Sequence, residues 1–112
     1  LSQSDLSGAN LRFATLRNSI LPKATLQNAR LVRTDFSESN LYGANFEGAN
    51  VLFAQFHDAD LSSADVRGSR HLTQDQLNSA FIYEGRPALL PDGLEQPPSR
   101  QRPNPLGPKI IP

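Results

Sequence analysis

The sequence predicts a solenoid, a chain wound into stacked coils of short extended segments, and three observations predict it. Every fifth residue from Leu1 to Val66 is large and apolar: Leu1, Leu6, Leu11, Leu16, Leu21, Leu26, Leu31, Phe36, Leu41, Phe46, Val51, Phe56, Leu61 and Val66. The residue two places before each, from Ser4 through Ala9, Thr34 and Ala44 to Ala64, is small throughout. The double register then stops at residue 70, where a helix signal and a proline-rich stretch take over. A period of five rings an α-helix with leucine, because successive positions drift by about 140°. On a flat strand an odd period sends each leucine to the opposite face. Both conflicts vanish if the chain turns a corner every five residues. The large and small residues then point inward together, and each coil buries its apolar face only by stacking on its neighbours. Each buried Leu or Phe contributes roughly 1.5–3 kcal/mol relative to exposure.

Ala9-Asn10-Leu11, Ala44-Asn45-Phe46, Ala49-Asn50-Val51, Ala59-Asp60-Leu61 and Ala64-Asp65-Val66 follow one pattern: a small residue, Asp or Asn, a large apolar residue, then two variable positions. The pattern resembles the pentapeptide-repeat family and covers residues 1 to about 70. The resemblance implies a right-handed quadrilateral β-helix with four pentads to a coil, and so about three and a half coils. Thr15, Ile20, Thr25, Arg30, Gln55 and Arg70 depart from it at the Asp/Asn position. They lose a local side-chain-to-backbone bond, which puts corner geometry at risk there. Gly8, Gly43, Gly48 and Gly68 fall at the last position of their pentads, where a turn requires conformational freedom.

A capping helix is expected over 71–86. Thr73 and Gln76 have the spacing of a capping box, Leu72 and Leu77 that of a hydrophobic staple, and Asp75 suits the positive helix end. Gly85 and Pro87 end the pattern. Such a helix would lie over the open apolar end of the last coil, which solenoids must cover. Leu72-Thr73 with Gln76-Leu77, and Leu90-Pro91-Asp92-Gly93-Leu94 with its tight turn, are similar to segments that close many family members. Residues 87–112 read as an extended proline-rich tail, because 95–112 hold six of the nine prolines. The chain opens at Leu1 already inside the repeat, which predicts a piece trimmed from something longer. No cap precedes Leu1, so a homodimer through an uncapped N-terminal end is one expectation.

Composition narrows the function. Without cysteine there is no thiolate metal site and no cysteine nucleophile. His57 and His71 lack metal-ligand spacing, no phosphate-cradling glycine loop is present, and no cofactor is expected. No run approaches the roughly 20 apolar residues of a membrane span. A formal net charge of zero gives no overall attraction to nucleic acid.

Stacking at twenty residues makes two places distinctive. Phe13 and Phe53 flank Arg33 in one column, and Val32 and Leu52 share the next, which leaves one wall unusually apolar. Those four residues are a candidate partner-binding patch, or a surface for the protein's own tail to cover. Glu38, Asp58 and Asp60 form a candidate acidic corner: Glu38 and Asp58 share a column about 4.8 Å apart, with Asp60 at the same corner and His57 adjacent. Tyr42 and Ser62 are expected on the outside, and Ser62→Ala near neutral. Along the axis, positive residues gather in 1–33 and negative ones in 34–66, as a dipolar docking surface would have them. Arg102-Pro103-Asn104-Pro105-Leu106-Gly107-Pro108 has the form of an SH3-type ligand.

A convex coil exterior offers no water-excluding pocket, so the reading is a non-enzymatic interaction or scaffold module presenting its surface to a protein partner. The resemblance also implies a different class, modulation of DNA gyrase or topoisomerase by mimicry of a DNA duplex. Mimicry demands a strongly negative surface, with about one charge per 1.7 Å of axis. This chain is neutral, with a basic N-terminal third and none of the loop insertions of the quinolone-resistance members.

Overall fold

A computed structural model describes residues 3–83 and 85–97. The chain turns a corner in every pentad. At the last position of each pentad from Gln3 to Gly68 the backbone is left-handed, with φ between 55° and 74°. The large apolar residue's carbonyl accepts from the small residue three places on, as Leu41 O does from Ala44 N at 3.0 Å and Phe46 O from Ala49 N at 2.9 Å. Positive φ at the third residue is what a type II turn requires, and glycine and asparagine adopt it most readily. Wherever Asp or Asn precedes the apolar residue, its Oδ1 accepts from the backbone N–H two places on: Asp35 from Ser37 at 2.9 Å, Asn45 from Glu47 at 2.9 Å, Asp60 from Ser62 at 2.9 Å. From Thr15 to Gln55 the departures do not disturb the corners, whereas after Arg70 the corner gives way to the helix cap, with Thr73 extended at φ −114°. Ile20 and Arg30 are followed by Lys23 and Arg33 at φ 59° and 60°, because pairing between coils holds what the missing side-chain bond does not.

Coils pair in parallel at a register of twenty, from Asp5 with Thr25 to Asn50 with Arg70. The N–H of each central apolar residue donates to the next coil, as Phe46 N does to Asp65 O at 2.8 Å. The residue before it donates to the previous coil, as Asn45 N does to Ala24 O at 2.9 Å. The twenty-residue period and five-residue corners define four walls. They comprise residues 4–8, 24–28, 44–48 and 64–68; then 9–13, 29–33, 49–53 and 69–73; then 14–18, 34–38 and 54–58; then 19–23, 39–43 and 59–63.

Backbone groups that run along the axis leave both registers pointing inward, and the core is the expected column. Leu21, Leu26, Leu31, Phe36, Leu41, Phe46, Val51 and Leu61 are buried, with Ala24, Ala29, Ala44, Ala49 and Ala59 beside them. The Phe36 and Phe56 rings stack at 5.5 Å, and Phe46 meets both edge-on at 6.0 and 5.9 Å. Thr34 and Ser39 stand in small-residue positions, their hydroxyls donating to Leu11 O at 2.7 Å and Phe36 O at 2.6 Å.

After Arg70 the chain stays on the coil but leaves the register. Helix α1 (Gln74–Ser79) starts at the expected capping box: the Thr73 hydroxyl accepts from Gln76 N, and Gln76 Oε1 from Thr73 N at 2.8 Å. Leu77 is buried in the core and Leu72 packs against it. The helix is much shorter than the sequence pattern suggests. It ends at Ser79 because Phe81 pairs with Asp60, and its N–H donates to Ala59 O at 2.9 Å. Leu89 then pairs with Asp65, so the offset grows from twenty to twenty-one and then twenty-four.

Residues 87–97, the first part of the extended tail, are likewise laid on the coil. Leu90 and Leu94 pack on the core and Pro97 is buried. Two glutamine amides act as substitute strand edges. Gln74 donates to Glu95 O at 2.8 Å and accepts from Glu95 N at 2.9 Å, while Gln96 donates to Ala88 O at 2.7 Å and accepts from Ala88 N at 3.3 Å. Gln76 Nε2 donates to Val51 O and Ala54 O, at 2.8 and 2.9 Å.

Tyr83 and Arg86, between α1 and residue 87, correct two outward assignments. Tyr42 is buried, its hydroxyl 3.3 Å from Arg86 Nη1 and its ring under that guanidinium at 5.9 Å. Ser62 is fully buried, and its Oγ accepts from Tyr83 N at 2.8 Å. The SH3-type motif and the rest of the tail lie outside the described residues.

Candidate functional site

The four apolar residues singled out by stacking come together on the second wall. Phe13 N donates to Val32 O at 3.0 Å and Arg33 N to Leu52 O at 2.9 Å, which sets Phe13, Arg33 and Phe53 in one corner column and Val32 and Leu52 in the next. Val32 and Leu52 are half-buried. Phe13 and Phe53 are 70% and 59% exposed, and the Arg33 guanidinium lies 4.9 Å from the centre of the Phe53 ring. Both phenylalanines have left-handed backbone, with φ of 64° and 57°. A bulky side chain is disfavoured there, and an exposed ring gains little from burial.

What the linear reading missed is the charge of this wall. Arg12, Arg30, Arg33 and Arg70 belong to it, and its four segments contain no carboxylate. Arg12, Asn28, Arg30, Val32, Asn50 and Arg70 line a shallow cleft of about 290 Å³. The signal was available: charge sorted by position modulo twenty separates the walls, whereas charge sorted along the chain blends them.

The axial dipole does not survive coiling on the third wall, where positive and negative residues meet across coils. Arg17 pairs with Asp35 at 3.3 Å and with Glu38 at 3.2 Å. Burial pushes the Asp35 carboxyl up, but hydrogen bonds from Ser37 and Arg17 and the Arg17 charge leave it below the usual carboxylate range. The three members of the acidic corner have separate partners: Glu38 with Arg17, Asp58 with His57 Nε2 at 3.4 Å, and Asp60 with Ser62 N. Among the described residues no group of three or more His, Asp or Glu side chains is placed to hold a metal ion. On the first wall the Arg67 hydrogen bond, working against partial burial, holds the Asp65 carboxyl low. No helix among the described residues is long and apolar enough to cross a membrane.

Five-residue corners, twenty-residue coils and paired inward registers define a quadrilateral repeat protein. The chain belongs to the pentapeptide-repeat family: eight copies of the repeat match over residues 1–22, 23–51 and 39–70. Comparison with curated protein sequences yields no match. Among solved structures it is similar to HetL of the cyanobacterium Nostoc sp. strain PCC 7120, a pentapeptide repeat protein involved in heterocyst differentiation regulation. That match has 34% identity and a TM-score of 0.59, over 73% of this chain and 34% of HetL. Rfr23 from the cyanobacterium Cyanothece 51142 matches at 30% identity over 80% of this chain and 62% of its own, with a TM-score of 0.36. A pentapeptide repeat protein of the Arabidopsis thaliana thylakoid lumen matches at 26% identity over 88% and 59%, with a TM-score of 0.31. The chain thus spans about a third of HetL and under two thirds of the other two.

Proposed function

We propose that this chain is a non-enzymatic interaction module: a right-handed β-helix of about three and a half coils, closed by residues 71–97, whose second wall receives a protein partner. The observation that carries it is the Phe13–Arg33–Phe53 column. Two exposed aromatic rings that serve neither the turn nor the core leave an apolar patch on this wall, as interaction sites do. The inward registers carry the fold and leave function to such outward positions. HetL, a pentapeptide repeat protein involved in heterocyst differentiation regulation, is consistent with this. Duplex mimicry requires a continuous negative wall, and Arg17 neutralises the Asp35–Glu38 stretch where one would begin. At the other end Leu6, Leu11 and Leu16 are only partly buried, and a further coil, including one from a second copy, would cover them.

The test is capture of partners from source cells by the intact protein and by the double variant Phe13→Ser, Phe53→Ser. A partner lost with the variant, at unchanged thermal stability, supports the function. Equal capture by both removes the second wall from it.

A further inference from the structure

We infer that the second wall docks an acidic segment of another protein in which carboxylates alternate with apolar side chains, a specificity that rests on the interaction-module function proposed above. Cationic and apolar side chains are interleaved on this wall, with Arg12 in the column of Val32 and Leu52 and Arg33 between Phe13 and Phe53. Arg30 and Arg70 alternate with Asn10 and Asn50 in the paired column, Asn50 bridging both Arg30 and Arg70. Val32 and Leu52 run beside them, and Phe13, Arg33 and Phe53 form the corner beyond. Among the described residues no carboxylate pairs with Arg12, Arg30, Arg33 or Arg70; the Arg12 Nε–H goes to Asn10 Oδ1 at 3.1 Å. In a protein of zero net charge, this concentration of guanidinium groups is local, and it calls for carboxylates from outside.

Charge also selects among occupants. Four of the carboxylates that a second copy would bring on its coil are already engaged: Asp35 and Glu38 are held by Arg17, Asp65 by Arg67, and Glu47 Oε1 accepts from Gln27. The protein's own tail beyond Glu95 carries Arg100, Arg102 and Lys109 and no acidic residue, so laying it on four arginines sets like charge on like. A single-stranded nucleic acid would bring phosphates and stackable bases. However, one face of Phe53 is already covered by Arg33, the Val32–Leu52 stripe favours aliphatic contact, and a neutral protein exerts no long-range pull on a polyanion.

The test uses fluorescence anisotropy with a short labelled peptide alternating glutamate with leucine and phenylalanine. Its comparators are the same peptide with serine for glutamate and a labelled oligo-dT of similar length. The acidic peptide is expected to bind, and to bind about tenfold more weakly to Arg30→Gln, Arg70→Gln, the loss of two surface ion pairs near the upper end of their usual range. Raising sodium chloride from about 50 to about 200 mM should narrow that difference. Phe13→Ser, Phe53→Ser should weaken binding as well, while thermal melts confirm that both double variants fold. Acidic and serine peptides binding alike, or indifference to the arginine substitutions, overturns the inference. Tighter binding of oligo-dT than of the acidic peptide replaces it with a nucleic-acid surface. If Arg30→Gln, Arg70→Gln still captures the cellular partner fully, only the acidic specificity falls and the interaction module stands. If no variant or wild-type protein captures a partner, the module itself fails.

Discussion

Replacing Phe46 with alanine tests the coil interior most directly. Phe46 is fully buried and meets Phe36 and Phe56 edge-on at 6.0 and 5.9 Å, while those two stack on each other at 5.5 Å. Burial of the ring contributes roughly 1.5–3 kcal/mol. Two edge-to-face contacts add about 0.5–1.5 kcal/mol each. The walls around it are tied coil to coil by backbone hydrogen bonds such as Phe46 N to Asp65 O at 2.8 Å, so they resist collapse into the space left behind. The expected loss is therefore about 4 kcal/mol, within the usual 3–5 kcal/mol for this substitution. Against a domain stability of about 5–15 kcal/mol, that brings the protein close to unfolding. Urea titration followed by circular dichroism measures it: with a slope of about 1.5 kcal/mol/M, the midpoint moves by about 2–3 M. Phe46→Leu should lose only about 1 kcal/mol, since it keeps most of the volume. A Phe46→Ala midpoint within about 0.5 M of wild type, at unchanged slope, would refute the inward assignment.

Three further outcomes follow from single contacts. Ser62→Ala should destabilise by about 1–2 kcal/mol, because the part-buried Tyr83 N–H loses its acceptor at 2.8 Å; Ser7→Ala on the exposed surface is the matched control, and equal melting temperatures would refute it. Gly48→Ala should lose about 1–2 kcal/mol in a thermal melt, since φ is 74° and an added Cβ meets the Asn28 side chain; a loss below about 0.5 kcal/mol would show that the corner relaxes freely. Asp65, held below its ordinary value by Arg67, contributes stability that is fully present above the unfolded value of about 3.9 and is lost as pH falls through the folded one. Asp65→Asn should thus melt below wild type at about pH 6 and converge with it in stronger acid, and a gap that persists there would refute the ionic origin.

By itself the sequence determined the coil. Side chains repeating at five positions require a corner in every pentad; four pentads to a coil came from the family resemblance, and the pairing from Asp5 to Asn50 has that register of twenty throughout. It also determined the start of α1, because the Thr73–Gln76 box is satisfied within four consecutive residues. The same periodicity brought Phe13, Val32, Leu52 and Phe53 to one wall. Where the period ends, local pattern loses its authority. The helix signal runs on toward Gly85, yet Phe81 gains more by pairing with Asp60 than by another helical turn, so α1 ends at Ser79. Tyr42 and Ser62 occupy outward positions in every local sense and are buried only because Tyr83 and Arg86, more than twenty residues away, cross over them. Which charges meet was likewise a tertiary decision. Arg17 neutralises Asp35 and Glu38 from the neighbouring coil, while Arg30 and Arg70 face asparagines, and that difference in cross-coil neighbours leaves one wall of a neutral chain positively charged.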